Sequence, residues 1–223
     1  MCYLGFFIIQ LLNLTYALDF DLLFYQTSDI PYGIPYGEWI VKYWNWWGNI
    51  PISESPAEEK VKYQCFMQIV DNVAFFVDPL QMHREQAYSC EIGSNNSIFL
   101  PLVASEYDTG IEGYEQATDE ELVDSAEQDD NSRAFNVTID GKVIPSEYIK
   151  KLRSESPFWN LTLVEGNIYE GKPGVFRAFA EGFYIFLKPL PEGSHQISYA
   201  AYSSESDSQT SLAGKITYNL FVK

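Results

Sequence analysis

Histidine is almost missing from this chain of 223 residues: His83 and His195 are the only two. Neither has a cysteine or a second histidine at ligand spacing, so zinc and copper sites of the usual kinds are unsupported. The sequence also lacks a Gly-x-Ser-x-Gly elbow, a P-loop, a Gly-x-Gly-x-x-Gly turn and a His-Glu-x-x-His pair. Serine, nucleotide and zinc hydrolases thereby lose their sequence basis. No catalytic, cofactor-binding or metal-ligating residue is assigned. Carboxylate-pair chemistry of the glycosidase kind stays open, because acids are abundant and spacing in sequence does not fix separation in space.

Basic residues are scarce too, 14 Lys and Arg against 31 Asp and Glu, for a formal net charge of −17. A field of that sign repels phosphate and anionic membrane surfaces and attracts cations and basic partners, which excludes nucleic acid as a partner. Its ordinary role is to keep an exported protein soluble.

Charge is absent altogether before Asp19, and the first basic residue is Lys42. The apolar start from Met1 to Leu12 resembles the h-region of a signal peptide, and it is shorter than the roughly 20 residues a bilayer span needs. Thr15-Tyr16-Ala17 offers a cleavage point near Ala17, making 1–17 a signal peptide and 18–223 one mature domain. The n-region has no Lys or Arg, which leaves an uncleaved anchor or a different start codon as the alternative. Cleavage would remove Cys2 and leave Cys65 and Cys90, whose default state in an oxidising compartment is a disulfide stabilising the fold by about 3–4 kcal/mol. Two free thiols would suit a cytosolic protein. Sequons at Asn95, Asn136 and Asn160 are compatible with glycosylation of a chain placed outside the cell or at its surface.

What the chain does have is apolar and aromatic content, 46% and 16%, ample for a packed core. From Gly37 to Gly48 the residues Trp39, Ile40, Tyr43, Trp44, Trp46 and Trp47 recur at helical spacing, and Gly48 and Pro51 end the run. Aromatics so spaced pin a helix to a sheet, while the competing reading makes Trp44 and Trp47 a sugar-stacking platform. Strands are predicted over Tyr63–Val70, Val73–Val77 and Ile98–Val103, with Asp71-Asn72 as a turn and Cys90 in the loop entering the third.

Glu106 to Asp130 carries eleven acids and no Lys or Arg. Thr118 and Glu121 form a capping box, so a helix is predicted from Asp119 to about Gln128. The run invites calcium, but it lacks EF-hand spacing and reads chiefly as a solvated acidic insertion over 106–130.

Beyond Arg133, Phe135, Val137 and Ile139 alternate with polar residues, and Asp140-Gly141 supplies a tight hairpin turn. Trp159–Val164, Val175–Ala178, Phe183–Leu187, Gln196–Ala200 and Ile216–Val222 follow as strands, with Glu181-Gly182 read as a turn and Ser203–Ser211 as a hairpin tip. Many short strands between turn signals predict a mainly β fold, an antiparallel β-sandwich of the immunoglobulin-like or jelly-roll-like kind with one or two short helices.

Tyr36-Gly37-Glu38-Trp39, Trp44-Asn45-Trp46, Ser89-Cys90-Glu91-Ile92, Ile98-Phe99-Leu100-Pro101 and the ending Leu190-Pro191-Glu192-Gly193-Ser194-His195 to Ile216-Thr217-Tyr218-Asn219-Leu220 together carry a likeness. In these the chain resembles a loosely defined group of uncharacterised exported archaeal proteins. The resemblance spans most of the mature chain and implies export and a sandwich, and it transfers no catalytic residue. Glu91-Ile92-Gly93 and Asn95-Asn96 stand where that group commonly has a Pro-Gly-Lys turn.

The expected function is that of an exported, non-enzymatic structural or interaction protein of the cell surface or extracellular matrix, with a protein or cell-envelope partner and no stable membrane span. The alternatives are a module binding carbohydrate or a divalent cation, and a carboxylate-pair hydrolase.

Overall fold

A computed structural model describes residues 20–56, 65–79, 85–131, 133–204 and 210–223. The predicted signal peptide, His83, residues 63 and 64 of the first predicted strand and the centre of the 203–211 loop lie outside the described residues.

The elements in chain order are α1 (Phe20–Leu23), α2 (Tyr36–Gly48), β1 (Gln68–Val70), β2 (Val73–Phe75), β3 (Glu85–Ile92), β4 (Ser97–Asp108), α3 (Asp119–Asn131), β5 (Arg133–Ile139), β6 (Lys142–Val143), α4 (Ser146–Ile149), β7 (Arg153–Glu155), β8 (Trp159–Leu163), β9 (Gly174–Leu187), β10 (Gly193–Ser204) and β11 (Thr210–Val222). They make a β-sandwich of two sheets. The first runs β1-β2-β4-β9-β7, with β8 also paired to β9, and the second runs β3-β11-β10-β5-β6.

Most pairings are antiparallel, as predicted, but β2 with β4 and β3 with β11 are parallel. The reason is connectivity: the chain leaves β2 for the other sheet and returns as β4, and such a crossover brings strands together in the same direction.

Helix α2 adds a third layer. Its buried residues Tyr36, Trp39, Ile40, Tyr43, Trp44 and Trp47 form one helical stripe. Trp39 packs edge-on against Phe75 and Phe186, and Tyr43 against Phe75. The Trp44 indole N–H donates to the Tyr184 hydroxyl at 3.0 Å. On the opposite face of the first sheet, Phe76 stacks on Tyr218 of β11 at 3.8 Å between ring centroids. The first sheet is therefore covered on both sides, and every residue from Ser97 to Ser105 and from Ala178 to Leu187 is buried.

The second sheet has one wet face. In β11, Ile216, Tyr218, Leu220 and Val222 are buried while Asn219 and Phe221 are exposed. That alternation was predicted and holds.

Both predicted two-residue turns form with left-handed backbones, φ 49° and 67° at Asp71 and Asn72, and 50° and 73° at Asp140 and Gly141. The capping box also forms, with the Thr118 amide donating to Glu121 Oε2 at 2.7 Å and the Glu121 amide to Thr118 Oγ1 at 3.3 Å.

Cys65 and Cys90 are disulfide-bonded. The bond joins the segment entering β1 of the first sheet to β3 of the second.

Three expectations are corrected. Trp44 and Trp47 are each only 2% exposed, so neither offers a face to a sugar. Cys90 lies within β3, not in a loop. Glu181-Gly182 is no turn: β9 runs straight through it from Gly174 to Leu187. Gly182 takes φ +153° there, and a Cβ on it would sit 2.5 Å from the Ala104 Cα, so glycine is what lets β9 pass this close to β4.

Candidate functional site

β4 extends three residues past the buried run, to Asp108, and this extension builds the site. Side chains on a strand alternate, so Glu106 and Asp108 share one face and Tyr107 takes the other. Tyr107 joins a small apolar cluster in which Leu122 and Ala126 of α3 pack on Phe179. Helix α3 is fixed further by Asp119, whose carboxylate takes two hydrogen bonds from Arg177 at 2.5 and 2.7 Å. The acidic helix thus covers one face of this corner and leaves the Glu106–Asp108 face open to a cleft.

The opposite wall is the β8–β9 loop, held by two buried or half-buried asparagines. The Asn167 side-chain amide donates to the carbonyls of Val164 and Gly171 at 2.8 and 2.9 Å, and its oxygen accepts from the Tyr169 amide at 3.1 Å. From the end of α2, Asn49 donates to the Thr162 carbonyl at 2.8 Å and accepts from the Val164 amide at 3.2 Å. So tied, the loop brings Tyr169 over Glu106.

The cleft has a volume of about 730 Å³. Glu106, Asp108 and Tyr169 form its polar floor, Leu163 and Phe176 its apolar wall, and Glu112, Glu115 and Glu170 its rim beside Lys172.

Burial pushes the Glu106 carboxyl well above the usual range, and the Asp108 charge and hydrogen bond add to this. Asp108 is raised by burial, while the amides of Gly110 and Ile111 and the hydrogen bond with Glu106 favour its ionised form. Two carboxyl groups in hydrogen-bond contact share one proton, and these environments place it on Glu106 and the negative charge on Asp108. Tyr169 is also raised, by burial first, with the Asp108 charge adding to it. Glu106 Oε1 and the Tyr169 hydroxyl are both enclosed, and a hydrogen bond from Tyr169 offsets part of the Glu106 rise.

Two acids in contact are not at the roughly 5–9.5 Å separation by which glycosidases flank a bond. What this arrangement offers is a fixed negative charge and a bound proton at the floor of a cleft.

The sequence marked Glu106 and Asp108 only as members of an acidic loop and missed Tyr169. The usable signal was position: the Glu-x-Asp pair follows directly on the apolar run that ends at Ser105. Nothing marked Asn167. Asn95, Asn136 and Asn160 are all exposed and lie apart, in the β3–β4 turn, on β5 and on β8. Among the described residues no three Asp, Glu, His or Cys converge on a metal-sized position.

No protein-family model and no curated protein matches the sequence. Among solved structures the chain is similar to a cysteine protease inhibitor from Entamoeba histolytica, at 14% identity and TM-score 0.24, over 63% of this chain and 96% of that one. It is also similar to PbICP-C in complex with falcipain-2, at 13% identity and TM-score 0.22, over 62% of this chain and 88% of the other. A likeness to Amebosin stands at 10% identity and TM-score 0.17, over 62% and 97%. Similarity at this level carries no argument about function. No described helix is long and apolar enough to cross a membrane.

Proposed function

We propose that this protein is an exported, non-enzymatic interaction module of the cell surface or extracellular matrix, and that a basic group of a protein partner docks in the acidic cleft. The observation that carries the reading is the cleft floor, where the buried Asp108 charge lies within a rim of Glu112, Glu115 and Glu170. A cation entering there meets fixed charge of opposite sign in a partly desolvated setting, where attraction exceeds that at an open surface. The Cys65–Cys90 disulfide supports export, since such bonds persist in oxidising compartments. Kinship with exported archaeal proteins, removal of residues 1–17 and glycans at Asn95, Asn136 and Asn160 belong to the same reading.

The test compares two charge-matched variants binding a pentalysine peptide at physiological salt. Glu112→Gln/Glu115→Gln/Glu170→Gln strips the rim, and Glu120→Gln/Glu127→Gln/Glu192→Gln removes three exposed acids elsewhere. The rim variant is expected to lose about tenfold in affinity and the other less than about twofold. Equal losses would mean that net charge alone attracts the peptide. Parallel titration with calcium, read as a shift in thermal midpoint, separates a metal ion from a basic side chain.

A further inference from the structure

On the second sheet, both ring nitrogens of His195 meet oxygen acceptors. Nδ1 lies 2.8 Å from Asp140 Oδ2 and Nε2 lies 2.9 Å from the Pro191 carbonyl oxygen. A carbonyl can only accept, and so can an ionised carboxylate. Neutral imidazole carries one N–H and can satisfy only one of the two contacts. The imidazolium satisfies both.

The partners belong to different segments. Asp140 sits in the β5–β6 turn, and its Oδ1 accepts from the Gln196 amide at 2.8 Å while its own amide donates to the Gln196 carbonyl at 2.8 Å. Pro191 lies in the β9–β10 loop beside Leu190, which is buried in the core. We propose that His195 is held doubly protonated and acts as a proton-operated clamp between the Asp140-Gly141 turn and the Leu190–Gly193 loop.

The surrounding charges favour this. Asp140 faces the ring from the turn, and Glu91 of β3 lines the same surface hollow, paired to Lys223. β11 contributes the uncharged Asn219, Leu220 and Phe221, and Glu192 is exposed in the adjoining loop. Partial burial pulls the His195 proton affinity down, but the hydrogen bonds to Asp140 and Pro191 and the Asp140 charge outweigh it, so the group ends above 6.5. A group raised on folding lends stability that is complete below its unfolded value and is lost as pH rises through the folded one. The clamp is therefore closed in acid and loosens as pH rises through the folded value.

With only two histidines in the chain, comparing spectra of the wild type and His195→Ala assigns the ring signals. Nitrogen-15 spectra of the wild type across a pH titration are expected to show both His195 nitrogens protonated below a midpoint that lies above 6.5 and that Asp140→Asn lowers. Hydrogen-exchange protection of the Asp140 and Gln196 amides, corrected for intrinsic rate, should fall several-fold as the ring titrates and lose that dependence in His195→Ala. A midpoint at or below 6.5, or the same pH dependence in both proteins, would overturn the proposal. The spectra of the intact wild type decide the point even if the variants fold poorly.

Discussion

The two sheets are built from strands of similar length, yet they are written in different patterns. β4 and β9 are almost unbroken apolar runs, whereas β3 and β11 alternate residue by residue. The difference lies in what covers them. Helix α2 and the second sheet enclose the first sheet between them, while the second sheet turns one face to water. A strand's pattern thus reports how many of its faces are dry, and the acidic cleft opens where β4 runs past its dry stretch.

The largest effect should come from an aromatic change repeated on both sheets. Phe99 is fully buried and touches Tyr43, Phe75, Tyr184 and Phe186, so Phe99→Ala is expected to cost about 3–5 kcal/mol in denaturant unfolding. Phe221 on the wet face is 50% exposed, and Phe221→Ala should change stability by less than about 0.5 kcal/mol. Similar costs would break the comparison.

A glycine pair sharpens it next. Gly182→Ala drives a methyl into the β4 backbone and should cost about 3 kcal/mol or prevent folding. Gly141→Ala at φ +73° meets no atom within 4 Å and should cost about 1 kcal/mol.

The smallest effect lies at the cleft. Because Glu106 is raised on folding, the native state keeps a proton that the unfolded chain releases, and the wild type loses stability as pH climbs above 4.5. Glu106→Gln should be more stable than wild type at pH 7, by on the order of 1 kcal/mol, and the gap should close near pH 4. A variant less stable than wild type at pH 7 would mean that Glu106 is ionised in the fold.

Legibility followed the same divide. Phe135, Val137 and Ile139, and Ile216 to Val222, were found by alternation, and the two left-handed turns by their Asp, Asn and Gly. β3 was missed although Tyr88, Cys90 and Ile92 alternate, because the small Ala87 and Ser89 on either side of Tyr88 look like loop. In the doubly covered sheet there is no period to read, so Glu181-Gly182 passed for a turn and Glu106 for the start of a loop. The cysteine pair was legible because one pairing remains once Cys2 is assigned to the predicted signal peptide. Tyr169 and the anchor Asn167 were not, since their positions depend on contacts with α2 and β4 that sequence spacing does not carry.

The most direct test of the cleft as a docking site is an amide chemical-shift titration of the folded protein with pentalysine. The account expects shifts at residues 106–115 and 169–172 that saturate together, while the exposed acids of α3 from Glu120 to Glu127 stay still. Shifts scattered over α3 and the other surface acids, or none at the cleft, would contradict it.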